Sequence, residues 1–424
     1  MRALHHIHLR SRIAVLALLC LPAFVTAQVL PLDSVLNAIA TAHPDLKAYD
    51  ARIKAYDAYA TGARALDPPK IGGGFFMTPY NTMYWKGDGM GDPGMGMFML
   101  SAEQMFMNRG KRNANYDYMR GMSMVDAQMK TAMRNELFSM AKMNYYDLLV
   151  LKKKERILME SEALLDYIIR STEIRYTYGM DKLNAYYKAK AMLGDVQNML
   201  VMNAQEMAQM RVALNTLMAR DKDAMFDIDT AYTVRPYETA PIDTATIAAS
   251  RSDFRAIDAN IALLRSKQDL QRASLRPDYG IKYDHMLPFG TDPNQFSLMG
   301  MLTIPIAPWS SKMYRSTITG LDFEAEALEE QKNALINQAA GTLNILRERI
   351  RSKQQQLDLY DKTIVPAMRL NYQATLLAYE QNTDELFMVL DAWQNLKVAQ
   401  LARLDLLMEL LKNTVEYEQQ LEIR

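Results

Sequence analysis

Two stretches of about 60 residues, from near Lys111 to Tyr176 and from near Lys312 to Tyr379, read as uninterrupted helix. At 1.5 Å per residue each would be roughly 90 Å long. No compact globule accommodates an element of that length, so the chain requires a coiled coil or a barrel of helices. That one feature removes most folds from consideration.

The two stretches belong to an internal duplication with a spacing near 205 residues. His43-Pro44-Asp45-Leu46-Lys47-Ala48 resembles Arg251-Ser252-Asp253-Phe254-Arg255-Ala256, and Asp67-Pro68-Pro69 matches Arg276-Pro277-Asp278. Tyr176-x-x-Gly179-Met180-Asp181-Lys182-Leu183 lines up with Tyr379-x-x-Asn382-Thr383-Asp384-Glu385-Leu386. The offsets of 208, 209 and 203 keep one order throughout, with a longer loop in the first copy. Each copy opens with a helix that ends at a proline, Ser34 to Leu66 and Asp253 to Leu275. A region rich in Gly, Pro and aromatics follows (Lys70 to Gln104; Tyr279 to Pro305), alternating with period 2. The long helix, a short turn and a second helix complete the copy, the last predicted over Asp181 to Met218 and Asp384 to Leu421.

The alternating segments carry two distinct faces. Phe296, Leu298, Gly300, Leu302 and Ile304 alternate with Gln295, Ser297, Met299, Met301 and Thr303. In the first copy Phe98, Leu100 and Ala102 alternate with Met97, Met99, Ser101 and Glu103. Strands of about ten residues, apolar on one face and more polar on the other, suit a transmembrane barrel; a soluble hairpin packed on a core has the same pattern. Two hairpins supply four strands, too few to close around a channel, so closure would take several copies of the chain. Tyr80, Tyr84, Trp85 and Trp309 stand where an interfacial aromatic girdle would lie. Tyr116, Tyr118, Tyr145 and Tyr146 read as helix-packing residues.

Arg2, Arg10 and Arg12 precede the apolar run Ile13 to Leu21, then Pro22 and Val25-Thr26-Ala27. This is the layout of a secretory signal cut after Ala27. Leu19 before Cys20 departs from a lipoprotein signal, which has a small residue there. Removing the signal leaves 46 basic against 49 acidic residues and no thiol, with His43 and His285 as the only histidines. Thiol nucleophiles, Ser-His-Asp triads and ordinary zinc sites become poor readings, and nothing marks a nucleic-acid footprint. A mean hydropathy of −0.20 excludes a polytopic helical membrane protein, so any crossing must be made by strands.

In combination these residues resemble the TolC family of outer-membrane efflux proteins over essentially the whole exported chain. Gln104-Met105-Phe106-Met107-Asn108-Arg109-Gly110-Lys111-Arg112 is similar to the family's Q-x-F-x-x-x-G-K-R passage from strand to helix. Tyr379-x-x-Asn382-Thr383, continuing to Leu390-Asp391-Ala392, is similar to its Y-x-x-G-T…V-L-D-A turn, and the Arg276-Pro277 helix end and Pro366 also fit. The resemblance implies a mainly α fold with a small β part, built as a duplicated helix–hairpin–long helix–helix unit. It implies a homotrimer whose twelve strands form one barrel in the outer-membrane lipid, continued by a periplasmic helical barrel. The same resemblance implies an exit duct without enzymatic activity or cofactor, docked through a periplasmic adaptor to an inner-membrane pump of the RND type. It places the periplasmic gate at Asp391, with Met388 and Asp384 at neighbouring positions; Met388 replaces an aspartate and Asp384 a basic residue of better-known relatives, which puts the usual salt-bridge lock in question.

On this reading residues 1–27 are the signal, 28–67 the first periplasmic helix, 68–108 the first hairpin and 109–220 a long helical hairpin. Residues 221–250 are an equatorial linker, 251–276 the first helix of the second copy, 277–309 the second hairpin and 310–424 the second helical hairpin. Of 32 methionines, fifteen fall between Met77 and Met143. Thioether sulfur is a soft, uncharged ligand that suits Cu(I) and Ag(I) and needs no deprotonation. Met90, Met95, Met97 and Met99, with Met299 and Met301, are therefore candidate metal contacts facing a lumen. Methionine is also a flexible filler of helix seams, as Met192, Met199, Met202 and Met210 would be. The expected function is a duct exporting Cu(I) or Ag(I); export of small organic molecules by the same fold, or a periplasmic coiled-coil adaptor, remain alternatives.

Overall fold

A computed structural model describes residues 29–87, 91, 93–179, 182–232, 244–305 and 307–423. The signal with Cys20, the candidate ligand Met90, the turn residues Met180 and Asp181, and the middle of the 221–250 linker lie outside the described residues.

The span 28–67 holds two helices, α1 (Leu32–Ala42) and α2 (Pro44–Gly62), where one was predicted. Pro44 has no N–H to donate into the preceding turn and steers the residue before it out of the helical region. His43 accordingly sits at φ −61°, ψ 128°, and its Nδ1 accepts the Asp45 N–H at 3.3 Å. The second copy repeats the break without a proline: Arg251, at φ −79°, ψ 131°, separates α5 (Thr244–Ser250) from α6 (Ser252–Ser274). There the Ser252 N–H donates to the Glu422 carboxylate at 2.7 Å, satisfying one of the orphan donors of a new helix.

Between these breaks, α3 (Arg109–Thr177) runs for 69 residues without interruption and returns through α4 (Leu183–Leu217). The second copy differs. α7 (Pro308–Leu359) passes through a π-helical turn, Tyr360–Ile364, into α8 (Val365–Glu380), before α9 (Leu386–Leu421). Pro366 lacks the N–H that an α-helix needs there, and the wider turn absorbs the defect by letting the Val365 N–H reach the Tyr360 carbonyl. Each long helix ends on a left-handed residue, Gly179 at φ 72° and Asn382 at φ 59°.

The chain divides into two compact units. The first takes in the described parts of Met1–Thr41, Met140–Pro236 and Arg351–Lys412. Its core is a four-helix seam of Leu158, Leu165 and Ile168 from α3, Ala189 and Val196 from α4, Tyr379 from α8, and Leu386, Val389, Leu390 and Trp393 from α9. The spacings of three, four and seven residues are those of helices packed side by side. In the same unit β1 (Val29–Leu30) pairs in parallel with β4 (Asp227–Ile228), and the buried Tyr145 hydroxyl donates to the Leu30 carbonyl at 3.2 Å.

The second unit takes in Ala42–Ser139, the described part of Tyr237–Ile350, and Asn413–Arg424. It holds one antiparallel sheet of β2 (Lys70–Phe76), β3 (Met97–Phe106), β5 (Asp278–Pro288) and β6 (Gln295–Thr303), in the order β2-β3-β5-β6. Each hairpin comes from one copy of the duplication, and the β3–β5 pairing joins the copies.

Candidate functional site

Register decides which residues share a face of this sheet. Gly73, Leu100, His285 and Phe296 lie in one row across the four strands, and Ile71, Ala102, Tyr283 and Leu298 in another. These rows build an apolar face that is open rather than packed: Ile71 is 80% exposed, Phe296 70% and Leu298 66%. A contiguous exposed apolar face of this kind marks contact with a partner or with lipid.

The opposite face mixes charge with sulfur. Its rows are Gly74, Met99, Met286, Gln295; Gly72, Ser101, Asp284, Ser297; Lys70, Glu103, Lys282, Met299; and Met105, Gly280, Met301. Met97 stands beyond these, paired with Pro288. Lys70 approaches Glu103 at 3.6 Å and Lys282 approaches Asp284 at 3.1 Å, so the central charges balance. The structure thus brings Met97, Met99, Met299 and Met301 to one face. Met95 lies before β3, 57% exposed, its N–H donating to the Tyr84 carbonyl at 2.7 Å. Trp85 is held beside the first hairpin by its ring N–H, which donates to the Pro79 carbonyl at 2.8 Å, and stacks on Phe289 at 4.9 Å.

At the turns that follow the long helices the arrangement is polar. Arg175 donates to the Asn382 side chain and its guanidinium lies 4.5 Å over the Tyr379 ring; Lys182 pairs with Glu385 at 2.8 Å. The Asp384 carboxylate accepts the Glu385 N–H at 2.9 Å, so it serves the start of α9. Met388 and Asp391, one helical turn apart, are both exposed, and Asp391 accepts the Asn395 amide at 3.2 Å. Leu386, Val389, Leu390 and Trp393 take the buried stripe, which leaves Met388, Asp391 and Asn395 together on the open one. Farther along, Lys397 is only 5% exposed, with its ammonium 4.8 Å over the Trp393 ring; burial lowers its pKa, and Asp195 partly offsets this. Asp361, in the π turn, binds the Arg403 guanidinium through both carboxylate oxygens, which holds the Arg403 pKa above its ordinary value.

The fold is that of known outer-membrane channels. OprN superposes with a TM-score of 0.72 at 15% identity, over 92% of this chain and 89% of that one. CusC, whose structures concern folding and transmembrane channel formation, gives 0.72 at 14% identity over 92% and 91%. VceC from Vibrio cholerae gives 0.70 at 16% identity over 92% and 95%. No curated protein matches by sequence. Residues 35–220 match the family model described as outer membrane efflux protein.

This chain thus shares its fold with outer-membrane channels, and its first copy matches the efflux-protein family model. Its strand-to-helix passage now has a physical account. The Gln104 side chain donates to the Asp67 carbonyl at 2.8 Å, tying the start of the hairpin to its end. The Asn108 side-chain oxygen accepts the Lys111 N–H at 2.8 Å and so caps α3. The Asn108 amide and the Lys111 ammonium both reach Asp278 of the other copy, at 3.1 and 3.3 Å. Gly110 is small because the Arg276 guanidinium would stand 2.9 Å from any Cβ there. Sequence reasoning did not single out Met286, Gly280 or the role of Met105. Alternation within 278–288 was the available signal; which face it joined depended on pairing with β3.

Proposed function

We propose that this protein is an outer-membrane efflux channel, the exit duct of a tripartite system for Cu(I) and Ag(I). Three copies close twelve strands into one outer-membrane barrel, since four strands cannot enclose a channel. A periplasmic adaptor joins the helical part to an inner-membrane pump of the RND type, which supplies the energy. Among the described residues no helix is long and apolar enough to cross a membrane, and strands closed into a barrel are the other structure that can.

One observation carries the cargo reading: six thioethers, those of Met97, Met99, Met105, Met286, Met299 and Met301, lie on one face of a four-stranded sheet whose other face is apolar and exposed. With the apolar face against lipid, the sulfurs line the lumen. Thioethers favour soft monovalent metal over zinc or magnesium, and neutral ligands hold it weakly enough to release it. Met95 would stand at the mouth. Beside the second turn Asp391 and Met388 form the narrowest ring, and Asp384 supports the turn rather than locking it.

Growth of a deletion strain on copper, silver, zinc and lipophilic drugs tests the proposal. The intact gene should restore copper and silver tolerance, and a version with Met97, Met99, Met299 and Met301 changed to Leu should restore little of it. Drug sensitivity alone in the deletion strain would overturn the metal reading and assign the duct to small organic molecules.

A further inference from the structure

We infer that Met105 and Met301 together form a discrete two-thioether transit site for Cu(I) or Ag(I), seated over Gly280 at the helix end of the sheet. The inference rests on the cargo proposed above and narrows it from a methionine-bearing face to one position. Met105 on β3 and Met301 on β6 are separated by β5, and both are Cα partners of Gly280 on it. A side chain at Gly280 would normally keep them apart. There is none: the position a Cβ would take lies 2.4 Å from Met105 Sδ, 3.4 Å from Met301 Cε and 3.0 Å from the Gln104 carbonyl oxygen. Two strands contribute one thioether each, and the strand between them has no side chain to part them.

Glycine inside a strand weakens it and marks a place where something must approach the backbone. If the space over β5 needed only filling, a β-branched residue at position 280 would fill it and favour the strand. Instead the neighbouring strands lean thioethers into it, on the face that also carries Lys70, Glu103, Lys282 and Asp284. That charged band is balanced, so an incoming cation meets no net positive charge beside the site. Two neutral sulfurs suit the low coordination numbers of soft monovalent metal and need no proton release to bind it. Among the described residues no group of three His, Cys, Asp or Glu is placed to hold a metal, so hard-ligand sites do not compete there. Met105 lies three residues before the Asn108 cap, and Gly280 two residues after its partner Asp278, so the site sits where α3 meets the strands.

The test uses the full-length protein in detergent, labelled with carbon-13 on the methionine methyls and titrated with silver nitrate. Met105→Leu and Met301→Leu assign the two methyl signals by their disappearance. Silver should shift these two signals together and before most others. In the Met105→Leu/Met301→Leu variant the tightest silver binding should weaken at least as much as loss of an outer-shell partner weakens a metal site, about 10- to 100-fold. Gly280→Ala, which keeps both sulfurs but places a methyl between them, should weaken it as well; if that variant does not fold, the leucine variants alone decide. Unshifted Met105 and Met301 signals, or unchanged silver affinity in the double leucine variant, would overturn the site. The growth assay separates the two proposals: metal tolerance that survives in the double leucine variant sinks this site and leaves the cargo reading standing. Silver binding at Met105 and Met301 in a protein that restores only drug tolerance sinks the cargo reading, and with it the transit role of the pair.

Discussion

Asn108 joins three parts of the molecule through one small side chain, and replacing it by alanine separates their contributions. Its oxygen caps α3 through the Lys111 N–H at 2.8 Å; losing such a cap costs about 1 kcal/mol. Its amide donates to Asp278 at 3.1 Å and to the Ala273 carbonyl at 3.2 Å. A hydrogen bond to a charged group is worth about 1.5–3 kcal/mol, but Asp278 keeps the Asn108 backbone N–H at 2.8 Å and Lys111, so the lower end applies. Asn108→Ala should therefore destabilise the protein by about 2–3 kcal/mol. Asn108→Ser retains a capping oxygen and loses the bridge, and should cost about half as much. Asn108→Asp keeps the cap but sets a second carboxylate against Asp278, and should be worse than Ser. The measurement is the urea midpoint, followed by tryptophan fluorescence in detergent, with Asp278→Asn added to complete a double-mutant cycle. The reasoning fails if the Ala and Ser variants unfold together, or if the Asn108 and Asp278 changes are additive.

Three further outcomes are expected. Asp391→Ala removes one exposed carboxylate per copy, and in planar bilayers it should raise single-channel conductance and reduce cation preference; unchanged values would remove Asp391 from the constriction. Gly179→Ala should lower stability by about 1 kcal/mol or more because of its positive φ, whereas Asn382→Gly at the matching turn should stay within about 0.5 kcal/mol; equal effects would refute the paired-turn reading. Lys397→Met removes a buried charge and should raise the urea midpoint at pH 7, by about 1 kcal/mol or more in stability. The folded pKa of Lys397 lies below its unfolded value, so between the two the unfolded chain binds more protons and stability rises with pH; the variant should lack that alkaline rise, and a lower midpoint at pH 7 would refute the assignment.

Local signals made much of this protein legible in its sequence. The uninterrupted α3 could be read directly because a 3.6-residue period needs no knowledge of distant partners. The alternation of Phe98 and Leu100 with Met97 and Met99 likewise assigned opposite faces before any strand was paired. The break at His43 and the π turn before Pro366 had their signal in the prolines, but proline alone does not say whether a helix stops, bends or widens. Arg251 had no such signal. Its break depends on Glu422, 170 positions away, accepting the Ser252 N–H.

The sequence by itself therefore determined the duplicated order of elements, the length of the helices and the two-faced strands, all properties of residues a few positions apart. Tertiary structure alone decided that β3 pairs with β5, that Met99 faces Met286, and that Met105 and Met301 meet over Gly280. The physical reason is that strand register is set by hydrogen bonds between segments about 180 residues apart, and a slip of one residue would have turned every sulfur to the other face.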